Sequence, residues 1–420
     1  MRAPRTQRIS AIRALYDRPF RFFWANALFS FGAINMQQLA RSFLARDLTE
    51  SPFLVTSVFA LGSMPLLFAP LLGGVLADRM DRKRLVMALD AAQALLSLAL
   101  ALMLTFGVIN IPILMGFSVG TGSIMGLSLP VRQAMIPDTT APESATNALV
   151  LFSGVFSIMM VLAPSIAGQI IGVAGVDIAI FTTVGLFVPA LFFLSRVPGG
   201  TSHIRRQGAP MIKEMVEGFR YVRRSKSLPI LMISGILGTV LYLPYISLMP
   251  IFQRDVLDVG ASGLGLMFTA TGAGAVFSSV LMAFFSTERP NVGFMMLFGI
   301  GAGLAIAAFS QSSSFGLSLG ILALVGLGQT GFMTMGMALV QYLTPAEMRG
   351  RVMAIRMLVF GMLPMGTVLA GLGAEVSSPQ AALAVLGLTG VAAQILTLVW
   401  MRKVPMTPPA EARLDTAPGD

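Results

Sequence analysis

Gly73-Gly74-Val75-Leu76-Ala77-Asp78-Arg79-Met80-Asp81-Arg82-Lys83-Arg84 packs six charges between two long apolar runs. The run before it, about 54–77, and the run after it, about 85–108, are each long enough to cross the ~30 Å hydrocarbon core as a helix. A cluster this polar is therefore a short turn outside a membrane, and it joins two spanning helices.

Composition extends that reading to the whole chain. With 55% hydrophobic residues, 11% charged and a mean hydropathy of +0.80, the sequence lies far outside soluble-domain composition, and apolar runs recur from end to end. The expected fold class is an all-α integral membrane protein. The net charge of +10 does not indicate nucleic-acid binding, which needs a basic face on a soluble domain. Absence of cysteine excludes disulfides, thiolate metal sites and cysteine catalysis. The first apolar run, from Phe20, is about 24 residues long, holds Asn and Gln and lacks a small-residue cleavage pattern, so it reads as a retained span.

Twelve spans are expected, at about 20–44, 53–77, 85–108, 111–131, 146–171, 176–196, 227–252, 262–285, 292–311, 315–340, 352–376 and 380–401. Span 4 thus ends at Arg132. Segment 197–226 between spans 6 and 7 divides the chain into six-helix bundles 20–196 and 227–401, with tails 1–19 and 402–420. Within that segment Met211, Ile212, Met215, Val216, Phe219 and Val222 recur at helical spacing opposite Lys213, Glu214, Glu217, Arg220, Arg223 and Arg224, predicting an amphipathic helix on the membrane surface. All of the 29 basic residues except Arg41, Arg46 and Arg254 fall toward one side, which places both tails and this segment in the cytoplasm. Pro142 and Ala167-Gly168 are matched by Pro345 and Ala370-Gly371 at a constant offset of 203, the trace of a duplicated six-helix unit.

Gly74 through Lys83 resembles the loop 2–3 motif of the major facilitator superfamily, G-x-L-A-D-R-x-G-R-K, with Asp81 in place of the second glycine. Leu48-Thr49-Glu50-Ser51-Pro52, Pro130-Val131-Arg132-Gln133-Ala134 with Asn147-Ala148, and Pro345 through Arg349-Gly350-Arg351-Val352-Met353 are similar to the branch of enterobactin exporters and macrolide-efflux proteins. The resemblance implies twelve transmembrane helices in two pseudo-symmetric six-helix bundles around an alternately opening cavity, and ion-driven export, most often with protons. It also implies gating roles for Gly74, Asp78, Arg79, Arg82, Lys83, Arg349 and Arg351. Relatives often carry an acid in span 4 that pairs with the motif arginines, and this span offers only Arg132.

Asn26, Ser30, Ala33, Gln37 and Arg41 share one face of span 1, with Asn35 and Gln38 on an adjacent strip. Polar side chains in a bilayer face a bundle interior or a cavity, so the stripe either lines the central cavity or bonds neighbouring helices. Arg41 either snorkels to headgroups or serves a gate or an anionic substrate. Asp90 and Glu375 are the carboxylates expected inside spans and the candidates for proton coupling; Asp90 otherwise pairs with the adjacent basic loop. Tyr242 and Tyr245 are further cavity candidates; the methionines read mostly as lipid or core filling, although Met335, Met337, Met362 and Met365 would suit an adaptable apolar pocket if they face inward. Gly120, Gly122 and Gly126 read as packing devices. His203, the only histidine, has no neighbours for metal binding or catalysis.

The leading function is export of an amphiphilic small molecule, drug-like or siderophore-like, by a monomer in a bacterial inner membrane. Protons are the expected coupling ion and no cofactor is expected. A lipid flippase or importer fits the same fold. An enzyme would need acids, nucleophiles or metal ligands converging at one depth, and the spans hold almost none.

Overall fold

The computed structural model describes residues 13–199, 211–285 and 290–404, in which helices and their connecting turns account for the regular structure. The expectations for His203 and for the outer parts of both tails fall outside those residues. Span 1 is Arg18–Leu48, and span 2 is the pair Pro52–Leu67 and Ala69–Arg79, bent by 43°. Spans 3 to 6 are Arg82–Thr105, Ile111–Thr139, Ala145–Ala174 and Val176–Ser195. A linker helix, Met211–Arg224, precedes spans 7 to 12 at Leu228–Val256, Ala261–Phe285, Val292–Ser310, Phe315–Tyr342, Ala346–Val376 and Pro379–Met401.

Ten of these helices, or eleven with the bent pair joined, are long and apolar enough to cross a membrane. Span 1 is the twelfth. Its polar stripe lowers its hydropathy, yet its 31 residues rise roughly 46 Å at 1.5 Å each, more than a bilayer core. An even number of crossings brings Arg18 and Met401 to one end, the terminal end; the other is the far end.

The turns follow from local chemistry. Asp81, the residue that departs from the motif, caps span 3 by accepting from the Arg84 N–H at 2.9 Å. Ser51, Asn110 and Ser378 cap spans 2, 4 and 12 in the same way, each ahead of a proline in the first turn.

Spans 1–6 and spans 7–12 pack as two bundles, and the same glycine contact builds each. A Cβ on Gly122 of span 4 would stand 1.8 Å from the Gly62 carbonyl oxygen of span 2. On Gly326 of span 10 it would stand 1.9 Å from the Thr271 carbonyl oxygen of span 8. Gly122 and Gly326 differ by 204 in number, one from the offset that matched Pro142 with Pro345. Helices that approach this closely tolerate no side chain at the crossing.

Candidate functional site

Between the bundles lies a cavity of about 200 Å³. Span 1 contributes Ile34, Gln38, Arg41 and Ser42, and spans 2 and 4 contribute Phe59, Ser63, Leu66, Ser118, Thr121 and Met125 among others. Its second-bundle wall is Leu243, Ile246 and Ser247 of span 7 with Leu363 and Thr367 of span 11. Both of those spans are interrupted beside it. Span 7 breaks after Tyr242 at Leu243-Pro244, and span 11 tightens to a 3₁₀ turn at Val359–Met362 before Pro364. Discontinuous helices at mid-membrane leave backbone groups for a ligand or ion only where a cavity receives them.

The bundles meet from these breaks to the far end. Gly361 of span 11 packs on Leu67 at the bend of span 2, Gly371 on Thr56 and Phe53, and Gly168 of span 5 on Ala261 and Gly265 of span 8. Gly168 and Gly371 are the pair singled out by the sequence repeat, and each sits at a bundle-to-bundle contact. Thr269 donates to the Val161 carbonyl at 3.2 Å across the same seam. At the far rim Arg46 forms two 2.8 Å bonds with Asp255, and Arg254 reaches Asp47 at 3.5 Å. Glu375, exposed at the end of span 11, accepts from the Ser51 hydroxyl at 2.8 Å and the Phe53 N–H at 3.1 Å, and so holds the start of span 2.

Arg41 of the span 1 stripe lines the cavity as expected, but the rest of the stripe faces the other way. Asn26, Ser30 and Gln37 are buried inside the first bundle. Asn26 donates to Asp90 Oδ2 and to the Ala190 carbonyl, both at 2.9 Å, and accepts from Arg132 at 2.6 Å. Ser30 adds a 3.1 Å bond to Asp90, while Gln37 bonds Ser97 and Gln93 at 2.9 and 2.8 Å. The expectation that these residues line the cavity is therefore corrected: periodicity put them on one face, and that face serves spans 3, 4 and 6. The cavity takes the adjacent strip of Gln38 with Arg41.

Asp90 pairs with Arg132 at 2.5 Å, not with the basic loop, and their side chains are 4% and 1% exposed. Arg132 also bonds Ser128 at 2.9 Å and lies over the Phe31 ring at 5.5 Å. Span 4 runs on to Thr139, two turns past its expected end, and this extension carries Arg132 into the bundle. It also brings Asp138 to Arg82 at 2.9 Å, supplying the acid that span 4 seemed to lack. One further expectation fails. Tyr242 packs against Phe332 and beside Gly303 and Gly390 inside the second bundle, and Tyr245 bonds Gln329 at 3.4 Å there; their neighbours Leu243, Ile246 and Ser247 face the cavity instead. None of Met335, Met337, Met362 and Met365 lines the cavity, whereas Met125 does.

Residues 9–415 match the transmembrane secretion effector family of the major facilitator superfamily. The chain belongs to that family. It is 24% identical over 364 residues to macrolide efflux protein A of Streptococcus pyogenes, covering 84% of this chain and 88% of that one. It is 22% identical to the staphyloferrin A transporter of Staphylococcus aureus, over 78% and 82% of the two chains. The nucleoside transporter NupG has the same fold, with a TM-score of 0.73 at 12% identity over 91% of this chain and 99% of that one. This secretion-effector-family chain is a multi-pass membrane transporter and not an enzyme.

At the terminal end, where the family motif lies, no ion pair joins the two bundles among the described residues. Asp78 and Arg79 are exposed, and Asp78 makes no hydrogen bond or ion pair among the described residues. Arg82 bonds the Ala77 and Ala134 carbonyls as well as Asp138, and Lys83 caps the end of span 6 through the Ser195 and Val197 carbonyls. Gly74 has open space around it; Gly73 is the tight position, where a Cβ would lie 2.5 Å from the Leu127 carbonyl oxygen. In the second bundle Arg349 is exposed and Arg351 is held at 3.0 Å by Glu217 of the linker helix.

Proposed function

We propose that the protein exports an amphiphilic small molecule, drug-like or siderophore-like, across a bacterial inner membrane by alternating access coupled to protons. The observation that carries this reading is a cavity walled by both bundles whose hydrogen-bonded and glycine contacts, among the described residues, gather between the breaks of spans 7 and 11 and the far end. Such a geometry has access from the terminal end and reverses if the bundles rock about the crossing of spans 2 and 11. In this reading the terminal end is cytoplasmic, the protein acts as a monomer, and residues 20–196 and 227–401 are the two rocking units. Two buried arginines, Arg132 and Arg356, lie inside bundles and so drop out of the charge count that sets this orientation; the remaining basic residues still favour it.

Glu375 is the carboxylate placed to couple. A proton arriving from the far side would remove its charge from the start of span 2 and loosen the far gate, whereas Asp90 is held by Arg132. Inverted membrane vesicles given a panel of amphiphiles, with and without a proton gradient, test the reading. Gradient-dependent accumulation of at least one compound is expected. Uptake confined to lipid analogues would indicate a flippase, and accumulation only in right-side-out vesicles an importer.

Asp78 completes the cycle as a latch. When the terminal end closes, the carboxylate at the end of span 2 meets the first turn of span 11, whose free N–H groups stabilise an anion by ~0.3–1 kcal/mol, up to ~2 when partly buried. This mirrors Glu375, which does at the far end for span 2 what Asp78 would do at the terminal end for span 11. Asp78→Asn should slow export several-fold and raise labelling of a thiol in the terminal mouth, with substrate affinity nearly unchanged. Normal export with unaltered labelling would reduce Asp78 to one charge of a solvated turn, where a pair contributes little.

A further inference from the structure

Arg41 is the charged residue of the cavity lining, which holds no carboxylate among the described residues. Its Nη1 donates to Thr121 at 2.5 Å and to Ser118 at 3.3 Å, both on span 4. The side chain is therefore drawn inward, away from the far-end headgroups that snorkelling would reach. Far-rim duty falls to Arg46, five residues on, with Asp255. Among the described residues the buried Nε of Arg41 has no hydrogen-bond partner and Arg41 forms no ion pair. The contrast with Arg132 is direct, since that guanidinium is matched by Asp90, Asn26 and Ser128. A cation left without a counter-ion in a low-dielectric setting is costly, and polar charges at this depth mark ligand paths.

We propose that Arg41 is the docking point for an oxyanion, carboxylate or phosphate, carried on the apolar body of the transported molecule. The proposal rests on the transporter reading and narrows its substrate class to anionic amphiphiles. The Nε and Nη2 edge of the guanidinium is free of bonds and matches the two oxygens of a carboxylate or phosphate. Phe59, Leu66, Met125, Leu243 and Leu363 provide the apolar walls, and Ser63, Ser247 and Thr367 add neutral hydroxyls for further polar groups.

The cysteine-free chain allows a test that needs no known substrate. Met125→Cys in lipid nanodiscs is labelled with an anionic methanethiosulfonate (sulfonatoethyl) and a cationic one (trimethylammonioethyl), each rate taken relative to a free thiol. One uncompensated charge nearby should favour the anionic reagent about tenfold at low salt. Arg41→Gln should abolish the preference and Arg41→Lys should keep it. Dodecanoate or dodecyl phosphate should slow labelling, the better of the two identifying the oxyanion, and dodecyltrimethylammonium should not. Equal rates for both reagents in the Arg41 protein, a preference that survives Arg41→Gln, or equal protection by the cationic amphiphile would overturn the proposal. Vesicle export of compounds without an acid group would leave the transporter reading standing in that case; absence of all export alongside an intact labelling preference would remove that reading and keep the anion site.

Discussion

Asp90→Asn is expected to be the most destabilising single polar substitution in the first bundle, lowering stability by about 3–5 kcal/mol. The asparagine keeps the shape and can still accept from Asn26 and Ser30, but it leaves the Arg132 guanidinium charged and 1% exposed with no anion. A buried arginine has no neutral form to retreat to. Arg132→Met combined with Asp90→Leu should cost much less than either change alone, because replacing both members of a buried pair by apolar groups is often neutral. Thermal melts of the purified protein followed by fluorescence-detected gel filtration provide the readout. If Asp90→Asn melts like the parent, the pair is not holding spans 3 and 4 together.

Valine at Gly168 or Gly371 should cut export by about 5- to 150-fold while leaving the protein folded. The added Cβ meets the Ala261 carbonyl oxygen at 2.6 Å in the first case and the Thr56 hydroxyl at 1.9 Å in the second. In the proposed cycle both clashes exist only when the far end is closed. Overpacking typically costs 1–3 kcal/mol, and when it falls on one state of a two-state equilibrium it shifts the populations by that factor. The backbone oxygen facing Gly168 cannot rotate away as a side chain can, so Gly168→Val should be the stronger of the two. Export rates in vesicles, set against the amount of protein in the membrane, measure the effect. Unchanged export from both variants would mean that the far seam does not need to close this tightly.

How far the sequence could be read depended on whether a signal was local. The starts of spans 4 and 12, Ile111 and Pro379, were legible because the apolar runs begin there, and the end of span 2 was fixed by its charged turn. Internal duplication was visible in Gly168 and Gly371, whose spacing survives because both seams need a residue without a side chain. Direction was not legible. A stripe of Asn26, Ser30 and Gln37 fixes which residues share a face, but the neighbours of that face come from spans more than fifty residues away. Span 4 was cut short at Arg132 because a cation looks like a membrane boundary until its counter-ion, Asp90, is found 42 positions earlier. The same early stop hid Asp138, although Pro137-Asp138 lies within two turns of the expected end.

Distances between spin labels test alternating access most directly. Label pairs Glu50/Ser313 at the far end and Met80/Glu347 at the terminal end all lie on exposed positions of opposite bundles. In the parent background the far pair should give a short, narrow distribution and the terminal pair a long one. Gly168→Val should lengthen the far pair and shorten the terminal pair in the same sample. Far and terminal distances that both stay fixed, or that widen together, would contradict a carrier that opens one end by closing the other.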